Sequence, residues 1–322
     1  MNIGAYGEVM MRLTPPEYKL ISQTDTVDLS YTGTGVNLLS GLAQFGHDTT
    51  LLSALPDNQV GQAAAGALRR LQIDTRALTF AHQHLGLYFL ERGYHPRPSQ
   101  VTYLNRLDSA FCRTTVSKTA IKRWLQPLDA VHICGIALFL TEATRETALA
   151  VAEQAATANI PVFFDFNYRP SLNETTDRSV IKATYQRMLP HCSVVFGSER
   201  DLTASLGMVG NDVIGQCLRQ FELDAFCGTL KTAETMQGFI RTMETTVVSK
   251  QSAIPTFDRI GTGDAFCAGV IDGMLAQQSL QQTVEFATAA AVLAHTTFGD
   301  SSVLNRAFVN QFMSGNAPAV MR

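Results

Sequence analysis

The chain is 322 residues long, 46% hydrophobic and 16% charged, with a formal net charge of −3. That size and hydrophobic share support one large folded domain and exclude wholesale disorder, and the slightly acidic balance excludes nucleic-acid binding through a basic surface. No run of about 18 apolar residues occurs and no basic stretch leads into an apolar one at the start, so the expectation is an unexported, cytoplasmic protein with no membrane partner.

Short apolar runs alternate with longer amphipathic ones along the chain. A strand is expected at 2–6. Residues 10–29 then break the rhythm, with alternating apolar positions around Pro15-Pro16. A helix at 36–45, a strand at 49–53 and a helix at 60–71 follow. Residues 85–110 break the rhythm again and read as strand, turn, strand: Tyr88-Phe89-Leu90, a turn over 94–99, then Val101-Thr102-Tyr103. Beyond them come a strand at 130–134, a helix at 141–158, a strand at 162–165, a helix at 180–189 and a strand at 193–196. Helices at 200–206 and 212–221, a strand at 225–227, and helices at 263–275 and 280–296 complete the pattern. Strands alternating with helices predict a mostly parallel sheet covered on both faces, with ligands at the carboxyl ends of its strands. The two interrupting stretches would pair as a small sheet outside the main one. The tail from 315 to 322 is small and polar enough to fray. Cys112, Cys134, Cys192, Cys217, Cys227 and Cys267 form no Cys-x-x-Cys pair, which argues against zinc and for reduced thiols.

The most informative segment is Asp258-Arg259-Ile260-Gly261-Thr262-Gly263-Asp264-Ala265-Phe266, where two glycines lead into a helical pattern. Glycines let the backbone turn tightly and present N–H groups at a helix N-terminus, where the dipole favours anions. The spacing fits two readings. Asp264 is either a first-turn dipole partner or a base that takes the proton of a hydroxyl attacking a phosphoryl group, with the N–H groups of Ile260, Gly261, Thr262 and Gly263 as the anion hole. A P-loop is excluded because Gly-Asp-Ala stands where Gly-Lys-Ser/Thr is needed. The dinucleotide fingerprint is excluded because Phe266, and Leu38 after Gly33-Thr34-Gly35, occupy the third glycine's place. A nicotinamide oxidoreductase loses its support with them.

That segment resembles the C-terminal signature of the ribokinase-like (PfkB) carbohydrate kinases, with Arg259 and Thr262 where Thr and Ala are commonest. Gly33-Thr34-Gly35-Val36-Asn37 with 41–46 resembles the N-terminal signature. The 7–16 segment, Leu85-Gly86-Leu87-Tyr88-Phe89, Asp165-Phe166-Asn167-Tyr168-Arg169-Pro170 and the 295–300 segment resemble the 2-keto-3-deoxygluconate kinase branch. Six motifs in order imply an α/β, ribokinase-like fold: a mostly parallel sheet sandwiched by helices, with a small β-sheet lid. The implied division is 1–9, 30–84 and 111–322 for the large domain, and 10–29 with 85–110 for the lid. The implied activity is ATP-dependent phosphorylation of the terminal hydroxyl of 2-keto-3-deoxygluconate, with Mg²⁺, in a homodimer paired through the lid. A monovalent-cation requirement stays open. The alternatives are a fructokinase or other ketose kinase, and a sugar-binding protein without catalysis.

The resemblance carries roles to particular residues. Asp264 is the implied base. Arg169 emerges after a predicted strand, where a guanidinium can hold a sugar carboxylate by two hydrogen bonds; Arg106 is a second candidate. Tyr103 and Tyr88 belong to the lid. One extra residue separates Tyr103 from Arg106 relative to the branch, so the two point inward together only if the strand ends or bulges between them. Gly33 and Gly35 fit close approach of the backbone to sugar hydroxyls, with Asn37 donating or accepting, or else a strand-to-helix turn. Gly299 and Asp300 form a candidate loop near the substrate. On the nucleotide side stand Ser198, Gly228, Gly261, Gly263 and His295, the last also explicable as a favourable helix C-terminal residue. The family's Asn-x-x-Glu falls on 198–201, so Glu199 or Asp201 is the candidate, indirect metal group, and the stretch from Cys227 to Lys231 departs from the family's glycine-bearing pattern.

Overall fold

The protein is described by a computed structural model covering residues 1–254, 257 and 260–315. Asp258 and Arg259, which open the glycine motif, and the tail 316–322 lie outside the described residues. In chain order the strands are β1 Asn2–Tyr6, β2 Met10–Thr14, β3 Asp28–Thr32, β4 Asp48–Leu55, β5 Ile73–Asp74, β6 Leu78–Phe80, β7 Gly86–Glu91, β8 Gln100–Leu104, β9 Ala130–Cys134, β10 Val162–Asp165, β11 Val194–Phe196, β12 Ala225–Lys231, β13 Thr235–Arg241, β14 Thr246–Val248 and β15 Ser252–Ala253.

The large sheet runs β14-β13-β12-β11-β10-β9-β1-β4-β5, with β15 on β13 and β6 on β4. From β12 to β4 every pairing is parallel, and β13 and β14 continue the sheet antiparallel. Each central strand is buried on both faces, and its alternation assigns side chains to two cores. Val131, Ile133, Val162, Phe164, Val195 and Phe226 pack with the helices Glu142–Thr157, Arg178–Met188 and Val213–Phe221. Ile3, Ala5, Phe163, Val194 and Phe196 pack on the other side with the helices Thr34–Gln44, Thr262–Leu275 and Leu280–Ala294. Burying each such aliphatic or aromatic side chain contributes about 1.5–3 kcal/mol, so a strand apolar at every position is stable only between two helix layers. The fold is the mixed α/β arrangement expected.

The second sheet runs β3-β2-β7-β8, with β2 parallel to β7 and the other pairs antiparallel. It unites the two stretches that interrupt the main rhythm. β3 continues to Thr32, past the boundary drawn at residue 29. Alternation along β2 turns Met10, Arg12 and Thr14 to the buried side, where Met10 meets Tyr88, Leu90 and Ile260 of the glycine motif. The small sheet therefore lies directly over the start of the Thr262–Leu275 helix.

Candidate functional site

The carboxyl ends of β1, β9, β10, β11 and β12 open on the same edge as the N-termini of the Thr34–Gln44 and Thr262–Leu275 helices. Among the described helices of eight residues or more, these two alone lack a side-chain N-cap, and each has glycine there instead. The others are capped by Asn58, Ser117, Thr141, Asp177, Ser198, Asp212, Ser279 and Asn305. An uncapped helix start leaves its first amides for a ligand.

Gly261 sits at φ 79°, in the left-handed region, and a Cβ there would lie 1.8 Å from the Asp300 carbonyl oxygen. Only glycine allows this turn to close onto the Asp300 loop. Ala265 N–H donates to Gly261 O at 2.9 Å, so the amides of Gly263 and Asp264 precede the first intrahelical bond. Gly263 is exposed, and a Cβ there would meet nothing within 4 Å. Lys231 Nζ, at the end of β12, donates to Thr262 Oγ1 at 3.3 Å and brings a positive charge to the same turn. The Ile260 side chain packs under the lid against Met10, Tyr88 and Leu90.

Asp264 is buried in the first turn. Its Oδ2 accepts from Asn37 Nδ2 at 2.8 Å. Burial raises its pKa well above the usual carboxylate range, the Asn37 bond and the Arg169 charge oppose that, and Asp165 and Asp300 add to it. Asp165, at the end of β10, is pushed up to about 7, chiefly by burial, against a hydrogen bond from Asn167 N–H and the charge of Arg169. Arg169 is exposed, precedes the short Pro170–Asn173 helix, and makes no ion pair among the described residues. Its charge reaches both Asp165 and Asp264.

Asp300 is the hub of the lid contact. It is ion-paired to Arg12 NH1 and accepts from Tyr88 OH at 2.8 Å and Thr32 Oγ1 at 2.7 Å. Burial, then the Asp300 charge, raises the Tyr88 phenol far above its ordinary value. Arg12 escapes sequence reasoning: it reads as one alternating position in a strand, and its partner lies 288 residues away.

Several expectations need correction or relocation. Arg106 is not free for a sugar carboxylate. It is buried, its Nε donates to Glu8 Oε2 at 3.2 Å, and NH2 pairs with Glu8 Oε1. Burial opposes its charge, but Glu8 outweighs burial and the pKa is raised. Tyr103 is half-exposed and lies under the Arg106 guanidinium, 4.6 Å from ring centroid. The two share a side because β8 ends at Leu104 and Asn105 turns at φ 51°. A Cβ at Gly35 would lie 3.4 Å from Ala5 and Leu51, so the side-chain direction there points into the sheet. Gly33 is held against Glu8 O, where a Cβ would come within 2.1 Å. Asp201 Oδ2 is occupied by Ser198 N–H and Oγ, at 2.8 and 2.7 Å, in a capping box. Glu199 is exposed beside it. Gly228 is glycine because β12 crosses Gly197 O and the Phe239 ring there. His295 is the C-cap of the Leu280–Ala294 helix, and its Nδ1 lies 2.8 Å from Ala291 O.

No group of three His, Cys, Asp or Glu able to hold a metal occurs among the described residues. A pocket of about 410 Å³ lies between lid and Gly299, lined by Arg12, Thr14, Ser30 and Arg92 among others. Cavities of about 980 and 1080 Å³ open at the amino ends of the strands, lined by none of the candidate site residues. No described helix is long and apolar enough to cross a membrane.

Comparison with known proteins gives this geometry a setting. Residues 2–306 match the model of the pfkB family of carbohydrate kinases. A 2-dehydro-3-deoxygalactonokinase from Haloferax volcanii is 26% identical over 320 residues, 98% of each chain. The solved structure of an Enterococcus faecalis protein provisionally named a 2-keto-3-deoxygluconate kinase superposes with a TM-score of 0.94 at 39% identity, covering 100% of this chain and 99% of that one. A 2-dehydro-3-deoxygluconokinase from Thermotoga maritima gives 0.90 at 28%, covering 98% and 100%.

Proposed function

This chain belongs to the pfkB family of carbohydrate kinases, and we propose that it transfers the γ-phosphoryl group of ATP to the terminal hydroxyl of 2-keto-3-deoxygluconate. The observation that carries the reading is Asp264, buried at the uncapped start of a helix, with Asn37 on its carboxylate and Lys231 at the neighbouring turn. Asp264 takes the hydroxyl's proton as the oxygen attacks phosphorus. Asn37 holds the accepting oxygen in place. The amides of the Gly261–Gly263 turn and the Lys231 ammonium face the charge that develops on the transferred group. A helix start alone favours an anion by about 0.3–2 kcal/mol, so the lysine and exclusion of water by the lid must contribute more.

Arg169, exposed and without an ion-pair partner among the described residues, supports a carboxylate-bearing sugar over a neutral ketose. Mg²⁺ neutralises nucleotide phosphate charge when bound, and such a site needs few protein ligands. Glu199 and the second oxygen of Asp201 are the carboxylates on offer on the nucleotide side. We propose pairing of two lids in a homodimer from the exposed Leu29, Val101 and Leu104, to be checked by sedimentation of Leu104→Asp. Six buried cysteines, all unbridged, suit a cytoplasmic setting.

The test is ADP formation with Mg-ATP and, in separate and competing reactions, 2-keto-3-deoxygluconate, its galactonate epimer and fructose. Preference for the gluconate-derived acid is expected. Preference for fructose would replace the acid by a ketose, and sugar binding with no ADP would leave a binding protein.

A further inference from the structure

Thr32 is a single hydroxyl between two acceptors. Its Oγ1 lies 2.7 Å from Asp300 Oδ2 and 3.0 Å from Asn37 Oδ1, and it has one proton to give. Asp300 is ion-paired to Arg12, and a charged acceptor holds such a proton more strongly than an amide oxygen does. Thr32 therefore donates to Asp300 and turns a lone pair toward Asn37. Asn37 Nδ2 donates to Asp264 Oδ2 at 2.8 Å, and Ser301 Oγ lies 3.1 Å from Asn37 Oδ1. Rotated by 180°, the same amide would donate to Thr32 and Ser301 and present its oxygen to Asp264. That arrangement makes every hydrogen bond if Asp264 carries a proton.

We propose that Thr32 and Asn37 are positioning residues forming a proton-linked switch on the base, with the amide of Asn37 turning over as Asp264 changes protonation. While Asp300 holds the Thr32 proton, Thr32 favours the amide orientation that accepts from protonated Asp264. When a sugar hydroxyl draws on Asp300, the Thr32 hydroxyl keeps its proton and turns to donate to Asn37 Oδ1 instead. The amide then donates to the Asp264 carboxylate, whose own proton has left to water. The switch joins β3, two helices and the Asp300 loop, so closure of the lid strand and readiness of the base change together.

Among the described residues, the charged and titratable groups facing Asp264 are Asp165 and Arg169 from the end of β10, Asp300 from its loop, Cys134 from β9, Cys267 from its own helix, and Lys231 beyond Thr262. Of these only Asp300 contacts Thr32, and Thr32→Ser keeps the hydroxyl that Thr32→Val removes, so the two variants together isolate that hydroxyl.

The inference rests on Asp264 as base, and its test separates the two. The pH dependence of kcat/KM on the sugar acid is compared for the native enzyme, Thr32→Val and Thr32→Ser. Valine removes the lone pair that favours protonated Asp264, so the acid limb should move to lower pH by about 0.5–1 unit, the size of one neutral hydrogen bond. Serine should restore the native position. An acid limb unmoved by valine overturns the switch, even where the rate falls. In parallel, the Asn37 side-chain amide signals of ¹⁵N-labelled native protein are followed against pH without ligand. A titration sharing the acid-limb midpoint is expected, and flat signals overturn the switch whether or not the valine variant folds. Absence of ADP from any sugar acid would instead count against the kinase reading, with the amide titration still deciding the switch.

Discussion

Replacing Arg12 by methionine tests how the lid is fastened. Arg12 and Asp300 are 1% and 7% exposed, so the substitution leaves a buried carboxylate without its cation. Breaking a buried pair from one side costs about 3–5 kcal/mol. Tyr88 and Thr32 still donate to Asp300 at 2.8 and 2.7 Å, and such charge-assisted bonds each hold a carboxylate by about 1.5–3 kcal/mol. The loss should therefore fall near the low end, about 3 kcal/mol. At about 2 °C per kcal/mol for a chain of this size, calorimetry should show Tm lowered by roughly 6 °C. Adding Asp300→Asn removes the stranded charge and should recover more than half of that loss. Arg76→Met, which deletes the cation of the solvent-exposed Arg76–Asp74 pair, should leave Tm unchanged. An Arg12→Met protein within a degree of native, or a double variant whose loss is the sum of the single ones, would refute the buried latch.

Three further outcomes follow from single sites. Gly261→Ala should lower Tm and cut kcat at least tenfold together. The left-handed backbone costs a non-glycine residue about 1–2 kcal/mol, and the new Cβ must displace Asp300; native rate and Tm would contradict the close approach. Arg169→Ala should raise KM for the sugar acid while leaving a neutral ketose unchanged; equal loss on both would rule out a carboxylate clamp. His132 is buried in β9 with neither ring nitrogen hydrogen-bonded among the described residues, and burial lowers its pKa to about 3. Below its ordinary pKa of about 6.5 the unfolded chain takes up a proton that the folded one refuses, so stability falls by about 1.4 kcal/mol per pH unit as pH drops toward 3. Denaturant titrations of His132→Val should show a flatter acid side, and identical slopes would be contrary to a neutral buried imidazole.

What was legible in the sequence was local. Strands such as Val162–Asp165, apolar at nearly every position, announce a sheet covered on both faces, and the alternation after Met10 announces the lid. The antiparallel extension did not show. Thr235–Arg241 carries Gly238 at its centre, which reads as a turn, yet a Cβ there would lie 2.4 Å from Thr288 Oγ1 and 2.5 Å from the Phe266 ring. A glycine demanded by a neighbouring layer looks the same as one demanded by a turn. Asp264 and the glycine turn were legible because backbone geometry and chemistry coincide within a few residues. The partners of the charged site residues were not. Arg106 looks available in sequence and is paired with Glu8, 98 residues earlier, and Asp300 looks like a loop acid and is paired with Arg12. Charge pairing across such separations is set by how the lid lies on the large domain, which no local pattern encodes.

The most direct measurement is turnover of 2-keto-3-deoxygluconate by Asp264→Asn, with sugar binding followed by calorimetry in the same preparation. Asparagine keeps the side chain's volume and can accept from Asn37 Nδ2 through its one amide oxygen, but it is neutral and cannot take a proton. The account predicts retained binding and a fall in kcat of about 10²–10⁴. Near-native turnover by the asparagine enzyme would contradict it.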